Sequence, residues 1–204
     1  MSAAWFVDGE YLSKVWQYLN RQDHLDYVKL RQYLEATYCD SASKERIEDA
    51  YYFNADPDPP TARTNAYHNA FAYPPPGGPG LRVKLEWLSK KQLFWPKGMG
   101  GGPVVHPVTG VQYETTQQKA VDVSLAFHLT LSYSNRKWRK LFFAAGDGDF
   151  KTPIQYLVEF ENVDLVLIGS MATISEELRP YARDVVKIDE IANQIARPKP
   201  AAKP

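Results

Sequence analysis

Six short apolar stretches punctuate the chain: "AAWFVD" (3–8), "IEDAYYFNA" (47–55), "LRVKLEWL" (81–88), "KLFFAA" (140–145), "VDLVLIG" (163–169) and "DVVKID" (184–189). Only "LRVKLEWL" alternates in part; the others are close to solid runs. Apolar runs of about four to eight residues without alternation are the mark of strands covered on both faces, as in parallel sheets. Helical spacing fills the intervals: Val28, Leu30, Tyr33 and Leu34; then Val121, Leu125, His128 and Leu129; then Ile154, Leu157, Val158 and Glu161. The last of these follows Pro153, a good first-turn residue, and predicts Thr152 as its cap. A further helix is expected in "EELRPYAR", capped by Ser175 and kinked or shortened by Pro180. Strands alternating with helices predict an α/β fold, a three-layer sandwich around a mostly parallel central sheet.

Two stretches break this rhythm. "YPPPGGPG" (73–80) reads as a turn-rich connector. "FWPKGMGGGPVVHPVTGVQYETTQ" (94–117) is long and Gly-rich, with alternation in its second half. Loops of this length in a compact domain are usually functional or mobile, and an inserted β-hairpin or flap beside the site is expected here. The closing "ARPKPAAKP" is Pro-rich and basic, so the organisation predicted is one domain over 1–192 and a disordered tail over 193–204. A chain of 204 residues suits a single domain of the larger kind.

Charge and cysteine content narrow the function. With 24 basic against 24 acidic residues, the total gives no sign of a dedicated polyanion binder, although patches rather than totals set the field at a site. The one cysteine, Cys39, permits no disulfide within the chain, and no Cys/His cluster has zinc spacing. A reducing compartment, the cytoplasm, is the corresponding expectation. No apolar run reaches the length of a membrane span, and "MSAAWFVDGE" lacks the charged region of a secretory signal.

The acids carry the chemistry. In an open parallel sheet, ligands sit beyond the C-terminal strand ends. Asp8 closes the first predicted strand, Asp147 and Asp149 follow the strand at 140–145, and Asp122 lies at the start of the helix that precedes that strand. A lone aspartate after a strand is most often a turn or helix cap; four from three segments directed at one sheet edge are not explained that way. Two unit charges about 4 Å apart repel by about 1 kcal/mol in water and about 4 kcal/mol at an effective dielectric near 20. Such a cluster therefore holds protons or surrounds a cation. Oxygen-only ligands favour Mg²⁺ or Mn²⁺ over zinc, and these ions activate water and support charge in phosphodiester cleavage.

At this point the chain resembles a known family. "FVDGEYL" resembles the opening "DGxN" strand of NYN domains, members of the PIN-like nuclease group. "KAVDVSLAFHL" is similar to their "KGVDVxLAxDL" helix, and "FFAAGDGDFKTPIQYL" to their "SGDxDFxPLxxxL" segment. "VLIGSMATISEELRPYARDVVKID" resembles the closing strand, "S-x-x-L" helix and final strand. The matching segments run in family order from residue 5 to about 190. The resemblance implies a PIN-like sandwich and a metal-dependent ribonuclease. It implies Asp8, Asp122, Asp147 and Asp149 as metal-binding acids and Lys119 as a phosphate contact. Glu10 stands where the family usually has Asn, as an extra ligand or as a charge that repels phosphate; His128 replaces a frequent aspartate, and Ala145 a small hydroxyl residue.

One further stretch is open to two readings. Arg82, Lys84, Lys90, Lys91 and Lys97 are interleaved with Trp87, Phe94 and Trp95, a pattern that holds single strands by charge and stacking; the alternative is a strand with aromatics inward and lysines outward. "NRKWRK" (135–140) reads as a solvated turn. His24, His68, His106 and His128 have no ligand spacing, and Tyr51, Tyr52 and Phe53 read as core. The leading expectation is an endoribonuclease acting on single-stranded or structured RNA, as a monomer or a homodimer. The alternatives are a non-catalytic RNA-binding or regulatory adaptor that retains the fold, and, last, a phosphohydrolase acting on small phosphoesters.

Overall fold

The computed structural model describes residues 2–56, 59–118 and 120–198 of the chain. In chain order its elements are β1 (Ser2–Asp8), α1 (Gly9–Tyr18), β2 (His24–Leu25), α2 (Tyr27–Tyr38), β3 (Arg46–Asp56), α3 (Ala62–Ala72), β4 (Arg82–Gln92), β5 (Glu114–Gln118), α4 (Val121–Arg136), β6 (Lys140–Ala144), α5 (Lys151–Gln155), β7 (Asp164–Gly169), β8 (Asp184–Lys187), α6 (Ile188–Ile191) and β9 (Ala196–Arg197). One seven-stranded sheet has the order β5-β4-β3-β1-β6-β7-β8, and β2 pairs with β9 separately. All neighbours in the large sheet are parallel except β4 and β5.

The solid apolar runs follow from cover on both faces. In register across the sheet, Trp5 sits beside Ala50 and Phe142, and these side chains pack beneath Leu12, Val15 and Trp16 of α1 and Leu30 and Leu34 of α2. Their neighbours Phe6, Tyr51 and Phe143, one step along, point the other way and pack with Leu125 and Leu129 of α4 and Ile154 of α5. Successive strand residues project to opposite faces, so a strand between two helical layers must be apolar at nearly every position. This is the three-layer, mostly parallel α/β fold that the sequence predicts.

Several local expectations need correction. The helix expected at 153–161 starts earlier: a 3-10 turn at Gly148–Phe150 leads into α5, which continues as a π-helical stretch over Tyr156–Phe160. The Asp147 side chain caps that 3-10 turn by accepting from the Asp149 amide; α5 itself has no side-chain cap, and Thr152 lies inside it. The segment 175–183 forms turns and a 3-10 turn at Arg179–Tyr181, with Pro180 in its first positions. Proline fixes the backbone there and removes a donor, which shortens the expected helix to a single turn. The packed domain also runs past 192: Ile195 is fully buried, and Ala196–Arg197 pair with His24–Leu25. Residues 199–204 of the expected tail lie outside the described residues.

Two helices, α1 and α3, fall where the sequence pattern assigns no element. Asp8 both ends β1 and caps α1 by accepting from the Tyr11 amide at 3.0 Å, so no linker residues separate strand from helix. The weak stripe of α3 buries only His68 and Phe71. The Gly-rich insertion is a hairpin, as expected. β4 pairs with β5 from Leu88↔Gln118 to Gln92↔Glu114, and bridges at Phe94↔Pro103 and Val105↔Gln112 extend it.

Two buried indoles test how polar groups are carried in this core. The Trp138 N–H donates to Ser132 Oγ at 3.0 Å, and Ser132 in turn donates to the buried Asp49 carboxylate, which Arg82 holds from the other side at 2.5 Å. The Trp5 N–H, equally buried, has no partner among the described residues. Trp→Phe removes similar volume at both sites, but at Trp5 it also removes an unsatisfied donor. Trp138→Phe should therefore destabilise by about 1–2 kcal/mol more than Trp5→Phe in urea unfolding; equal losses would mean that the Asp49–Ser132–Trp138 chain adds no net stability.

Candidate functional site

β1 is the point where the chain changes direction across the sheet: β3 and β4 follow on one side, β6 to β8 on the other. Crevices beyond the strand ends at such a switch point are the usual binding sites of open α/β sheets. Here the crevice is a cavity of about 350 Å³ lined by Asp8, Glu10, Tyr11, Lys14, Asp122, Gly146, Asp147 and Thr173. Three of the four expected acids, Asp8, Asp122 and Asp147, thus share one cavity. Asp149 is not in its wall, but its charge and that of Asp147 are both felt by Asp122.

Each acid is positioned by a local rule. Asp8 is fixed as the α1 cap, and Asp122 sits in the first turn of α4, whose start is brought to the same edge because α4 runs back against the strands. Asp147 follows β6 and caps the next helical turn through the Asp149 amide at 3.0 Å. Glu10, in the first turn of α1, forms an i,i+4 ion pair with Lys14 at 2.5 Å, which offsets its charge at the rim. Lys119 lies outside the described residues.

The electrostatics record the crowding. Burial pushes the Asp8 carboxyl up from its ordinary 3.8 to about 6; the Asp122 and Glu10 charges push in the same direction, and hydrogen bonds from the Tyr11 and Glu10 amides act against it. Asp122 is raised by desolvation first, then by Asp147, Asp149 and Glu10. Among the described residues no group of three or more His, Cys, Asp or Glu side chains is arranged to hold a metal ion as it stands. The donor set nonetheless fits a hard cation in its chemistry. It is all oxygen, and the four aspartates make no ion pair with a described lysine or arginine. A bound cation would have to draw the side chains inward.

Two lining residues, Tyr11 and Thr173, carry no signal in the sequence. Tyr11 follows Asp8 by one helical turn, and its hydroxyl meets Thr173 Oγ1 at 3.0 Å. Its ring packs where a side chain at Gly146 or Gly169 would collide with it, so both strand-end positions require glycine. Thr173 belongs to the loop after β7, which is tied back to the acid loop by the Ser175 amide donating to the Gly146 carbonyl at 2.9 Å. Lys14 was recoverable from its i,i+4 spacing to Glu10. His128 is not in the cavity; its ring packs against Tyr51, Phe53 and Phe127.

Residues 2–189 match the family model described as NYN domain. A solved structure of a protein of unknown function from Vibrio parahaemolyticus RIMD 2210633 is similar in fold, with a TM-score of 0.61 and 15% identity over 96% of this chain and 96% of that one. No curated protein matches the chain. No helix among the described residues is long and apolar enough to cross a membrane.

The raised Asp8 carboxyl has a consequence for stability. An acid whose folded-state pKa is raised holds its proton more firmly when folded. Its contribution therefore favours folding below the ordinary 3.8 and is lost as pH climbs through about 6. In the presence of a chelator, the unfolding free energy should fall between about pH 4 and 6.5. Asp8→Asn, which keeps a capping oxygen, should flatten that fall and be the more stable protein at pH 7.5 by about 1–2 kcal/mol, allowing for partial solvent access. Chemical denaturation across pH measures both, and a wild type as stable as Asp8→Asn at pH 7.5 would show that the acids do not strain the fold.

Proposed function

Since the chain belongs to the NYN domain family, whose members are generally nuclease-like, we propose that it is a metal-dependent endoribonuclease that hydrolyses phosphodiester bonds in RNA. The observation that supports this reading is the acid-lined cavity at the switch point, where Asp8, Asp122 and Asp147 share one wall and Asp149 adds its charge. Asp8, Asp122, Asp147 and Asp149 would hold Mg²⁺ or Mn²⁺, which when bound supplies Lewis acidity toward the phosphate and toward water.

The chain's own groups take the remaining roles. In hydrolysis the water oxygen forms a new P–O bond, the bond to the leaving ribose oxygen breaks, and that oxygen takes up a proton. Without a cation, burial lifts the Asp8 carboxyl to about 6; a divalent cation held there would favour its charged form, which suits it to holding the ion. Lys14, held at the rim by Glu10, lines the acid cavity, and Lys119 precedes Asp122 by three residues; these are the cations assigned to an incoming phosphate. Tyr11 and Thr173 fix the far wall, so the phosphate enters a shaped slot.

The hairpin supplies an RNA-holding surface. β4 continues past the end of its pairing with β3 at Asp56↔Trp87 and so projects beyond the same sheet edge as the acids. Along it Trp87, Phe94 and Trp95 are each at least half exposed, not turned into the core, and Lys90, Lys91 and Lys97 are exposed beside them. Exposed rings interleaved with cations match single-strand binding by stacking and charge.

Purified protein should cut single-stranded RNA internally with Mg²⁺ or Mn²⁺ and not with chelator. Asp147→Asn combined with Asp149→Asn should lower the rate by at least about a hundredfold, about 2.7 kcal/mol of barrier, while leaving RNA affinity in chelator within about threefold. Gel analysis of end-labelled RNA reads the first and fluorescence anisotropy the second. Tight, salt-sensitive binding with no cut bond under either metal would overturn the enzyme in favour of an RNA-binding adaptor, and undiminished cleavage by the double variant would remove these acids from the mechanism.

A further inference from the structure

The acid cavity does not end at its own walls. It shares Glu10 and Lys14 with a second cavity of about 410 Å³, which also meets Tyr52, Asn54 and Tyr67. That one shares Ser13, Gln17 and Tyr67 with a third, the largest at about 510 Å³, reached by Arg21, Arg63 and Arg197. Glu10, Ser13, Lys14 and Gln17 are one face of α1, spaced three and four residues apart. At 1.5 Å per residue the face from Glu10 to Gln17 covers roughly 10 Å, the reach of about two or three nucleotides at the rise of a stacked strand.

The far end of this groove has the opposite electrostatic character to its beginning. Arg21 is neutralised by Asp23 at 2.6 Å and lies over the Trp16 ring at 5.4 Å. Arg63 and Arg197 are exposed and make no ion pair with a described carboxylate. Between the acids and these arginines stands Tyr67, 47% exposed, with its ring braced by Phe71 at 4.7 Å and His68 at 5.4 Å. Free guanidinium groups suit phosphate, a braced exposed ring suits a base face, and Gln17 and Asn54 offer amides to base edges. Cavities of this size lie within the range of about 300–1,000 Å³ that holds small-molecule ligands, enough for an unpaired base.

We infer that this groove is a substrate subsite that holds the unpaired RNA strand flanking the bond to be cut, with its phosphates on Arg63 and Arg197 and one base stacked on Tyr67. The inference deepens the ribonuclease reading and rests on it only for the identity of the bond at the acid end. The sheet alone would not create the subsite. Arg197 comes from β9, Arg63 and Tyr67 from α3, and Arg21 from the turn after α1, so three connections outside the large sheet assemble it.

The test is binding of a fluorescein-labelled ten-nucleotide oligouridylate to the full chain in chelator, followed by anisotropy over a salt series. Arg63→Ala with Arg197→Ala should weaken binding about tenfold or more and lower the slope of log affinity against log salt by about 1.4, the value for two phosphate contacts on a single strand. Lys44→Gln, which removes a cation from a distant loop, should leave both unchanged. Tyr67→Ala should weaken binding about fivefold or more, and Tyr67→Phe should restore it, since stacking needs only the ring. Unchanged affinity and slope in the arginine double variant would overturn the subsite even if the protein cuts RNA. Weakened binding in a protein that cuts nothing would uphold the subsite while removing the nuclease. An RNA duplex of equal length bound as tightly, and as sensitive to Tyr67→Ala, would overturn the assignment to an unpaired strand.

Discussion

Negative charges that repel one another are held together at the C-terminal edge of the sheet, and the architecture of the site follows from that constraint. β1 and β6 are hydrogen-bonded neighbours, so their ends lie about 4.8 Å apart, and whatever follows each strand must meet whatever follows the other. Asp8 and Asp147 therefore line one cavity although most of the chain separates them, and α4, returning against the strands, brings Asp122 into the same wall. The fold gives these acids no described cationic partner. Part of the domain's stability is set first against the burial of these carboxylates and then against their mutual repulsion, as the upward shifts of Asp8 and Asp122 record. A divalent cation is the species that relieves such an arrangement with the fewest added groups.

The first helix carries more of this design than its length suggests. Its buried side, Leu12, Val15 and Trp16, seals one face of the sheet, while its exposed side forms a wall common to all three linked cavities. Tyr11 works between the two. Its ring occupies the space that side chains at Gly146 and Gly169 would need, and its hydroxyl reaches Thr173. The acid loop after β6 and the loop after β7 therefore close on a single ring, and a shift in either moves the wall of the site. Close packing transmits such displacements because the interior has little free volume to absorb them.

Much of this was legible without coordinates, because the signals are local. Apolar runs such as "KLFFAA" and "VDLVLIG" give β6 and β7 directly, since a strand covered on both faces cannot alternate. The stripe Val121, Leu125 and Leu129 gives α4, and the placement of each aspartate at a strand end or helix start is enough to direct them to one edge. The failures are local conflicts. α1 was hidden because Asp8 ends a strand and caps a helix with nothing between. α3 was hidden because its apolar stripe is too thin. The helix expected after Ser175 was cut to one 3-10 turn by Pro180, whose effect the sequence announces without fixing its extent.

The sequence by itself determined the layer architecture, the four carboxylates and the family-like order of motifs, because periodicity and strand-end position are properties of short segments. Only the tertiary structure decided which distant side chains share a wall: Tyr11 and Thr173 with the acids, and Arg197 with Arg63 and Tyr67 of α3 at the far end of one groove. Those groupings depend on strand order and on how loops pack across the sheet edge. No periodicity in the chain encodes them, since the residues concerned touch only after the intervening segments have folded between them.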